Sequence, residues 1–157
     1  MSVQTVREYL AAFGLAERVL EFDCSSATVE LAAEAVGCEP ARIAKTLSFD
    51  VDGDTVLIVC AGDTKIDNPK YKAQFHTKAK MLPREDAQAR IGHAVGGVCP
   101  FAVNDGVKVY LDESMKRFDI VYPAAGSAQS AVKLTTAELE AASKAIAWID
   151  VCKLPEA

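Results

Sequence analysis

The fold of this chain is decided by two segments, IAKTLSF (residues 43–49) and TVLIVCA (residues 55–61), which are joined across Asp52-Gly53. An Asp-Gly pair between two such runs predicts a β-hairpin, because both central residues of a type I′ turn need positive φ. The second segment is apolar at consecutive positions, so both of its faces are expected to be buried. The sequence therefore predicts a hairpin at the centre of a sheet.

Lys45 lies in the middle of the first predicted strand. Alternation along the strand places it on the same face as Ile43, Leu47 and Phe49, which are residues that favour a core. A lysine on such a face can extend its amine into solvent. Alternatively, it can bind an anion or take part in catalysis at the mouth of a pocket. The hairpin alone leaves both interpretations open.

Composition and charge limit what the protein can be. The chain has 157 residues, 50% hydrophobic and 25% charged, which is typical of a globular protein, and we expect one domain over residues 1–157. A net charge of −5 disfavours broad, non-specific binding of nucleic acid, so any contact with RNA must be local. The sequence has no apolar run near the roughly 20 residues that span a bilayer and no signal-peptide pattern. We expect a cytoplasmic protein that does not bind membranes.

The cysteines and histidines give no metal pattern. Five cysteines are scattered without a C-x-x-C pair, and the chain has two histidines. This spacing indicates neither a disulfide framework nor a zinc site. We therefore predict free thiols, no metal and no cofactor.

Helical and extended segments alternate along the N-terminal part of the chain. Apolar residues at helical spacing follow Ser2, a possible N-cap, and this first helix ends at Gly14. Residues 18–22 are typical of a short strand. Ser26 or Thr28 can cap a helix over Val29–Val36, and a single turn at Pro40 leads into the lysine strand.

The C-terminal part mixes short helices with short strands. A helix is predicted from Asn68-Pro69 through His76, with Asn68 as its N-cap, and another from Pro83 through Ile91. Strands are predicted around Val95 and at residues 107–111, 119–122, 131–134 and 147–152, and a capping box at residues 135–138 begins the last helix. Because no regular βαβ order appears, we predict an α+β domain with a mixed, curved sheet and flanking helices.

The second informative segment is VGGVCPF (residues 95–101). Its two glycines let the backbone approach a ligand closely, and Pro100 stiffens the exit. Such a loop can present N–H groups to an oxyanion, although a β-turn between two strands would have the same sequence. Cys99 could be a nucleophile. However, His93 is its only histidine neighbour in the sequence, and buried free cysteines are commonly inert.

The combination of RIAKTL (residues 42–47) with GGVCP (residues 96–100) resembles the YbaK/EbsC family of editing domains associated with prolyl-tRNA synthetase. The resemblance covers nearly the whole chain. It implies an open-barrel-like sheet and a trans-editing deacylase that hydrolyses the ester of mischarged tRNA, with a Cys-, Ala-, Ser- or Thr-type aminoacyl group. The implied partner is the 3′ acceptor end of aminoacyl-tRNA, and an aminoacyl-tRNA synthetase is a second candidate partner. The alternative is a non-catalytic module that binds aminoacyl-tRNA or a nucleotide end and docks on a synthetase.

The resemblance also implies the site residues. Lys45 would engage the tRNA 3′ end, and Gly97 would be the centre of the loop that stabilises the oxyanion. The substrate-binding residues would be Thr46, Phe22, Gly96, Val98, Cys99, Pro100, Ala125 and Gly126. Where these deacylases resemble Ser-Gly-Gly, this chain has Ala124-Ala125-Gly126, so a hydroxyl is missing and a different aminoacyl specificity is expected.

A basic segment at residues 65–80 contains the candidate tRNA-binding residues Lys70, Lys72, Lys78 and Lys80. Tyr71 and Phe75 are interleaved with them. The segment could bind RNA phosphates, or it could be a solvated helix face whose aromatic residues pack inward.

Overall fold

Helices and short strands follow one another along the chain in the computed structural model, which describes residues 3–155. The α-helices within those residues are α1 (Val3–Ala11), α2 (Val29–Val36), α3 (Asn68–Phe75), α4 (Ala87–Ile91) and α5 (Thr136–Ser143). The strands are β1 (Val19–Glu21), β2 (Ile43–Val51), β3 (Asp54–Ala61), β4 (Lys65–Ile66), β5 (Lys108–Asp112), β6 (Ile120–Pro123), β7 (Ser130–Val132), β8 (Leu134–Thr135), β9 (Ala147–Ile149) and β10 (Cys152–Lys153).

Six of the strands form one mixed sheet in the order β8-β6-β2-β3-β5-β9. The hairpin strands β2 and β3 are antiparallel, and their register places Lys45 opposite Cys60. Parallel pairs join β6 to β2, β5 to β3 and β9 to β5. The sheet is curled into a half-barrel, and the smaller pairs β1–β7 and β4–β10 complete the domain. The predicted α+β class with a mixed, curved sheet is confirmed.

The core lies on both faces of β3. Leu57 and Val59 point into one cluster together with Leu10 of α1, while Ile58 points into a second cluster that contains Tyr71 of α3. Because consecutive side chains of a strand point in opposite directions, a continuous apolar run is buried only when both faces are covered. The predicted central position of this strand is confirmed.

Helix caps decide where several elements begin. The Thr28 hydroxyl accepts a hydrogen bond from the N–H of Leu31 and so caps α2. For α3 the predicted cap was wrong by one residue: Asp67 accepts the hydrogen bond from the N–H of Lys70, and Asn68 is already helical. The predicted capping box at the start of α5 is present. The cap predicted at Ser2 lies outside the described residues.

Residues 94–97 form a turn, so the strand predicted around Val95 was wrong. The N–H of Gly97 donates to the carbonyl of Ala94 at 3.0 Å, and Gly96 has a φ of 93°. That left-handed conformation, which glycine adopts at little cost, reverses the chain and ends any extension. Val95 is left 45% exposed.

Three other predicted elements are divided in the structure. Pro83 precedes a 3₁₀ turn, Arg84–Asp86, before α4 begins. The strand predicted at residues 131–134 separates into β7, which pairs with β1, and β8, which pairs with β6. The strand predicted at residues 147–152 separates into β9 and β10, because the Val151 N–H between them donates to the buried carboxylate of Asp112 at 2.9 Å.

Candidate active site

A cavity of about 270 Å³ opens at the outer edge of β2. Strand β6 covers that edge at Ile43 and Ala44. Further along, residues 80–82 cover it, since Asp50 donates to the carbonyl of Lys80 and Leu82 donates to the carbonyl of Ser48. The edge at residues 45–47 is therefore left uncovered, and this gap opens into the cavity.

The walls of the cavity come from five parts of the chain. They are the start of α2 with the preceding loop, residues 43–48 of β2, residues 81–84, the glycine loop at residues 95–98, and the β6–β7 region. Two of the wall residues have exposed apolar side chains, Met81 at 57% and Val95 at 45%, and these lie at the rim. The structure thus brings together the two segments on which the sequence resemblance rests.

Lys45 lines the cavity, and its ammonium donates a hydrogen bond to the carbonyl oxygen of Thr64. No carboxylate within residues 3–155 forms an ion pair with it. The nearby carboxylate of Asp63 is bound by both terminal nitrogens of Arg117, at 2.7 and 3.1 Å. The Arg117 guanidinium, with a smaller contribution from Lys45, holds the pKa of Asp63 below its ordinary value. The charge of Lys45 therefore remains available to an anionic ligand.

Gly97 fills a different role from the one implied by the resemblance. Its N–H is used in the turn with Ala94, and a Cβ added to it would lie 2.6 to 2.7 Å from backbone atoms of Gly126 and Ser127. Its neighbours Gly96 and Val98 line the cavity instead. No residue within 3–155 accepts a hydrogen bond from either of their N–H groups. The loop's available donors thus include these two, and Gly97 is the point where the loop packs against residues 126–127.

Cys99 and His93 form a buried contact that resembles a catalytic dyad. The Cys99 sulfur lies 3.5 Å from Nε2 of His93, and both residues are fully buried. However, Nε2 is 2.6 Å from the carbonyl oxygen of Phe101. A carbonyl can only accept, so Nε2 carries the proton and is not a base for the thiol. Burial raises the pKa of Cys99 to about 12, so the thiol stays protonated at neutral pH.

The remaining implied substrate residues do not line the cavity. Pro100 and Ala125 are buried, Gly126 packs against the glycine loop, and the Phe22 N–H donates to the carbonyl of Gln129 at 2.9 Å. None of these residues, nor Cys99, is among the described residues that line the cavity.

Sequence reasoning missed the hydroxyl of Ser130. It lines the cavity and accepts a hydrogen bond from the N–H of Ala125 at 3.2 Å, so a hydroxyl does adjoin residues 124–126. It also missed Arg84, an exposed cation in the cavity wall. Neither residue stands in a motif, because both are brought to the site by long-range packing.

The four candidate tRNA-binding lysines differ in their surroundings. Lys70 is held by Asp150 at 2.9 Å and by the carbonyl of Cys152 at 3.0 Å, beside β10. Lys80 lies beside β2, next to the cavity wall, and Lys72 and Lys78 are exposed. Tyr71 is buried, as expected if the aromatic side of α3 packs inward.

Within residues 3–155, no group of three or more His, Cys, Asp or Glu side chains could hold a metal ion. None of the helices in the same range has the length and apolar character needed to cross a bilayer.

The fold is that of a trans-editing type of domain. A solved structure described as a candidate trans-editing enzyme for prolyl-tRNA synthetase superimposes with a TM-score of 0.86 at 28% identity, over 96% of each chain. The chain belongs to the aminoacyl-tRNA editing domain family, whose model matches residues 25–142. The resemblance stated from the sequence is thereby confirmed.

Two sequence relatives show where else this sequence pattern occurs. The uncharacterised protein YwhH of Bacillus subtilis (strain 168) is 50% identical over 154 residues, which is 98% of each protein. A proline–tRNA ligase of Lysinibacillus sphaericus (strain C3-41) is 32% identical over 90 residues, covering 57% of this chain and 16% of the ligase. The similarity to the ligase is thus confined to a small part of that enzyme.

Proposed function

We propose that the protein is a trans-editing aminoacyl-tRNA deacylase. It hydrolyses the ester that joins a wrong aminoacyl group, of the Cys, Ala, Ser or Thr type, to the 3′ end of a tRNA. The observation that carries this proposal is the cavity at the uncovered edge of β2, with the unpaired charge of Lys45 in its wall, in a chain of the editing-domain family.

The reacting ester needs donors aimed at its carbonyl oxygen, where negative charge develops as the tetrahedral intermediate forms. The N–H groups of Gly96 and Val98 are available for this purpose. A third donor is the N–H of Thr46. The Asp50 N–H and the Ser48 carbonyl bond to residues 80–82 at the outer edge of β2, and backbone groups two residues apart in a strand point to the same edge. The N–H of Thr46 therefore also points to that edge, at its uncovered part. Together these donors take the role that the sequence suggested for Gly97.

Lys45 binds the tRNA end. Its ammonium moves from the neutral carbonyl of Thr64 to a phosphate or ribose oxygen, where the interaction is charge-assisted and stronger. This contact fixes the ester in the cavity. An ester is already activated toward attack, and correct placement supplies much of the rate.

The attacking group is water or a group of the substrate. Cys99 does not serve, because its thiol is protonated and lies outside the cavity wall. When water attacks, a new C–O bond forms at the carbonyl carbon and water loses a proton; collapse of the intermediate then breaks the ester bond, and the leaving ribose oxygen takes up a proton. When a hydroxyl or thiol of the substrate attacks, the same collapse releases the ribose oxygen and leaves a lactone or thiolactone, which water then hydrolyses. The products are the free amino acid and uncharged tRNA.

The tRNA approaches the rim of the cavity. Arg84 lies in the wall, and Lys80 lies beside it, so both can meet phosphates near the 3′ end. Lys72 and Lys78 are exposed and can extend this contact, whereas Lys70 must first leave Asp150. A synthetase that releases mischarged tRNA is the natural partner for such an activity.

A panel of mischarged tRNAs tests the proposal. Release of amino acid from Cys-, Ala-, Ser- and Thr-esters is measured with the wild-type protein and with Lys45→Ala. We expect turnover of at least one ester by the wild type and near loss of it in the variant, with the fold intact by circular dichroism. Protection of the ester without release would identify a binding module instead.

A further inference from the structure

The Thr46 side chain has an unsatisfied hydrogen-bonding group. Its hydroxyl oxygen is buried, and no described residue within 3–155 bonds to it, yet Thr46 is part of the cavity wall. A buried hydroxyl without a partner is unfavourable. A valine would fill the same volume without that loss, so the hydroxyl at this position calls for a functional explanation.

Three other hydroxyls in the cavity wall form hydrogen bonds within the protein. Thr28 caps α2, Ser26 accepts from the N–H of Ser130, and Ser130 accepts from the N–H of Ala125. Much of the remaining wall is small and apolar, as at Val29, Ala32, Leu82, Ala87 and Val98. A ligand in the cavity therefore meets a largely apolar surface in which Thr46 has a buried unpaired hydroxyl, while the hydroxyls of the half-buried Ser48 and Tyr122 are also without a partner among residues 3–155.

Size does not distinguish the candidate aminoacyl groups. A cavity of about 270 Å³ is near the lower end of small-molecule pockets, yet it is far larger than the side chain of Ala, Cys, Ser or Thr. Hydrogen bonding can distinguish them. A site built to bond a substrate hydroxyl discriminates strongly against the analogue without it, because the protein group is then left unpaired.

We propose that the Thr46 hydroxyl selects a hydroxyl-bearing aminoacyl group, of the seryl or threonyl type, over alanyl and cysteinyl groups. The inference rests on the proposed deacylase function and names its substrate class. The Thr46 hydroxyl has no accessible surface, so other atoms of the residue face the cavity. A 120° rotation about Cα–Cβ moves the hydroxyl to another staggered position, where it meets the substrate hydroxyl and loses its unpaired state.

The kinetic test compares seryl and alanyl esters of one tRNA. We expect the wild type to favour the seryl ester in kcat/KM, and Thr46→Val to lower this preference by about 10- to 100-fold. Thr46→Ser should keep the preference. Ser48→Ala is the matched control, since Ser48 lines the cavity from the same face of β2 and should leave the ratio unchanged. A ratio that Thr46→Val does not alter would overturn the inference.

A second measurement needs no turnover. Binding of non-hydrolysable seryl- and alanyl-amide analogues of 3′-amino-adenosine is compared in the wild type and in Thr46→Val. We expect a seryl preference that the variant loses, and equal binding of both analogues by the wild type would refute the selection. If no ester is hydrolysed but the seryl preference is present, the deacylase proposal fails and the selection by Thr46 stands.

The substrate-free protein offers a third readout. Replacing an unpaired buried hydroxyl by a methyl group removes an unfavourable group without changing volume, so Thr46→Val should raise the melting temperature. A lower melting temperature would show that the hydroxyl is bonded in the free protein, against the inference.

Discussion

Substitution of Gly97 by alanine separates a packing role from a donor role in the glycine loop. Alanine keeps the N–H and adds one methyl group. That methyl would lie 2.6 Å from the carbonyl carbon of Gly126, 2.7 Å from its oxygen and 2.7 Å from the nitrogen of Ser127. All three are backbone atoms of the adjoining loop, so no flexible side chain can move aside. The loop at residues 124–127 must shift as a unit.

The size of the effect follows from this geometry. Forcing an extra carbon into a well-packed site costs about 1–3 kcal/mol. For a protein of this length, 1 kcal/mol corresponds to about 2–4 °C in melting temperature, so Gly97→Ala should lower it by roughly 2–12 °C. The shift also moves Ala124 and Val98, which line the cavity. We therefore expect a loss of deacylation beyond the loss of stability.

The matched control is Gly106→Ala. Gly106 has a φ of +89°, and an added Cβ there would have nothing within 4 Å, so alanine causes backbone strain without a clash. That strain costs about 1–2 kcal/mol and lies outside the cavity wall. Thermal unfolding and deacylation are measured for both variants. A Gly97→Ala protein with the stability and the activity of the wild type would refute the packing argument.

Three further predictions concern charge and protonation. Cys99→Ala should retain most activity, because a thiol with a pKa of about 12 is not a nucleophile, and an aminoacyl adduct on Cys99 in mass spectrometry would contradict this. Lys78→Ala combined with Lys80→Ala should flatten the log–log salt dependence of KM by about 1.4, at about 0.7 per phosphate contact. Lys70→Ala should have less effect because Lys70 is held by Asp150, and equal slopes in all variants would leave these lysines as a solvated surface. Burial lowers the pKa of His93. Below about pH 6.5 the His93 side chain is therefore protonated to a greater extent in the unfolded chain than in the folded protein. The free energy of unfolding, measured in urea, should be maximal above that pH and fall on acidification, more than in His93→Gln.

The local features of the fold could be predicted because each rests on a few neighbouring residues. The Asp52-Gly53 turn, the Thr28 cap and the Thr135 capping box all act within a few positions of the chain. The apolar run of β3 predicted a central strand for the same reason. The error in the N-cap of α3 is equally local. Asp67 caps this helix instead of the predicted Asn68, and both residue types are good N-caps.

The candidate site was predicted in part. The sequence identified Lys45, Thr46 and the glycine loop, and the cavity is lined by Lys45, Thr46 and, from the loop, Gly96 and Val98. It placed the oxyanion donor at Gly97, whereas the turn with Ala94 uses that N–H. A Gly-Gly pair shows that the backbone can approach something closely, but not whether that neighbour is a ligand or another loop. Here Gly97 approaches Gly126, and Gly96 faces the cavity.

The cavity arises because two distant segments cover the outer edge of β2 only in part, and no local sequence pattern predicts this. Strand β2 is nine residues long, and β6 pairs with it only at Ile43 and Ala44. Residues 80–82 take up the outer edge again near Phe49, through the bridge between Phe49 and Met81. These two segments are far apart in sequence, and each ends where its own chain turns away. Thr46 lies between them, at the one part of the edge that neither segment covers within residues 3–155. Its backbone N–H points outward, and its side-chain hydroxyl is buried and unpaired. An uncovered strand edge presents unpaired N–H and C=O groups that can pair with another molecule, so the position that the fold leaves open is the one where we propose that the aminoacyl ester binds.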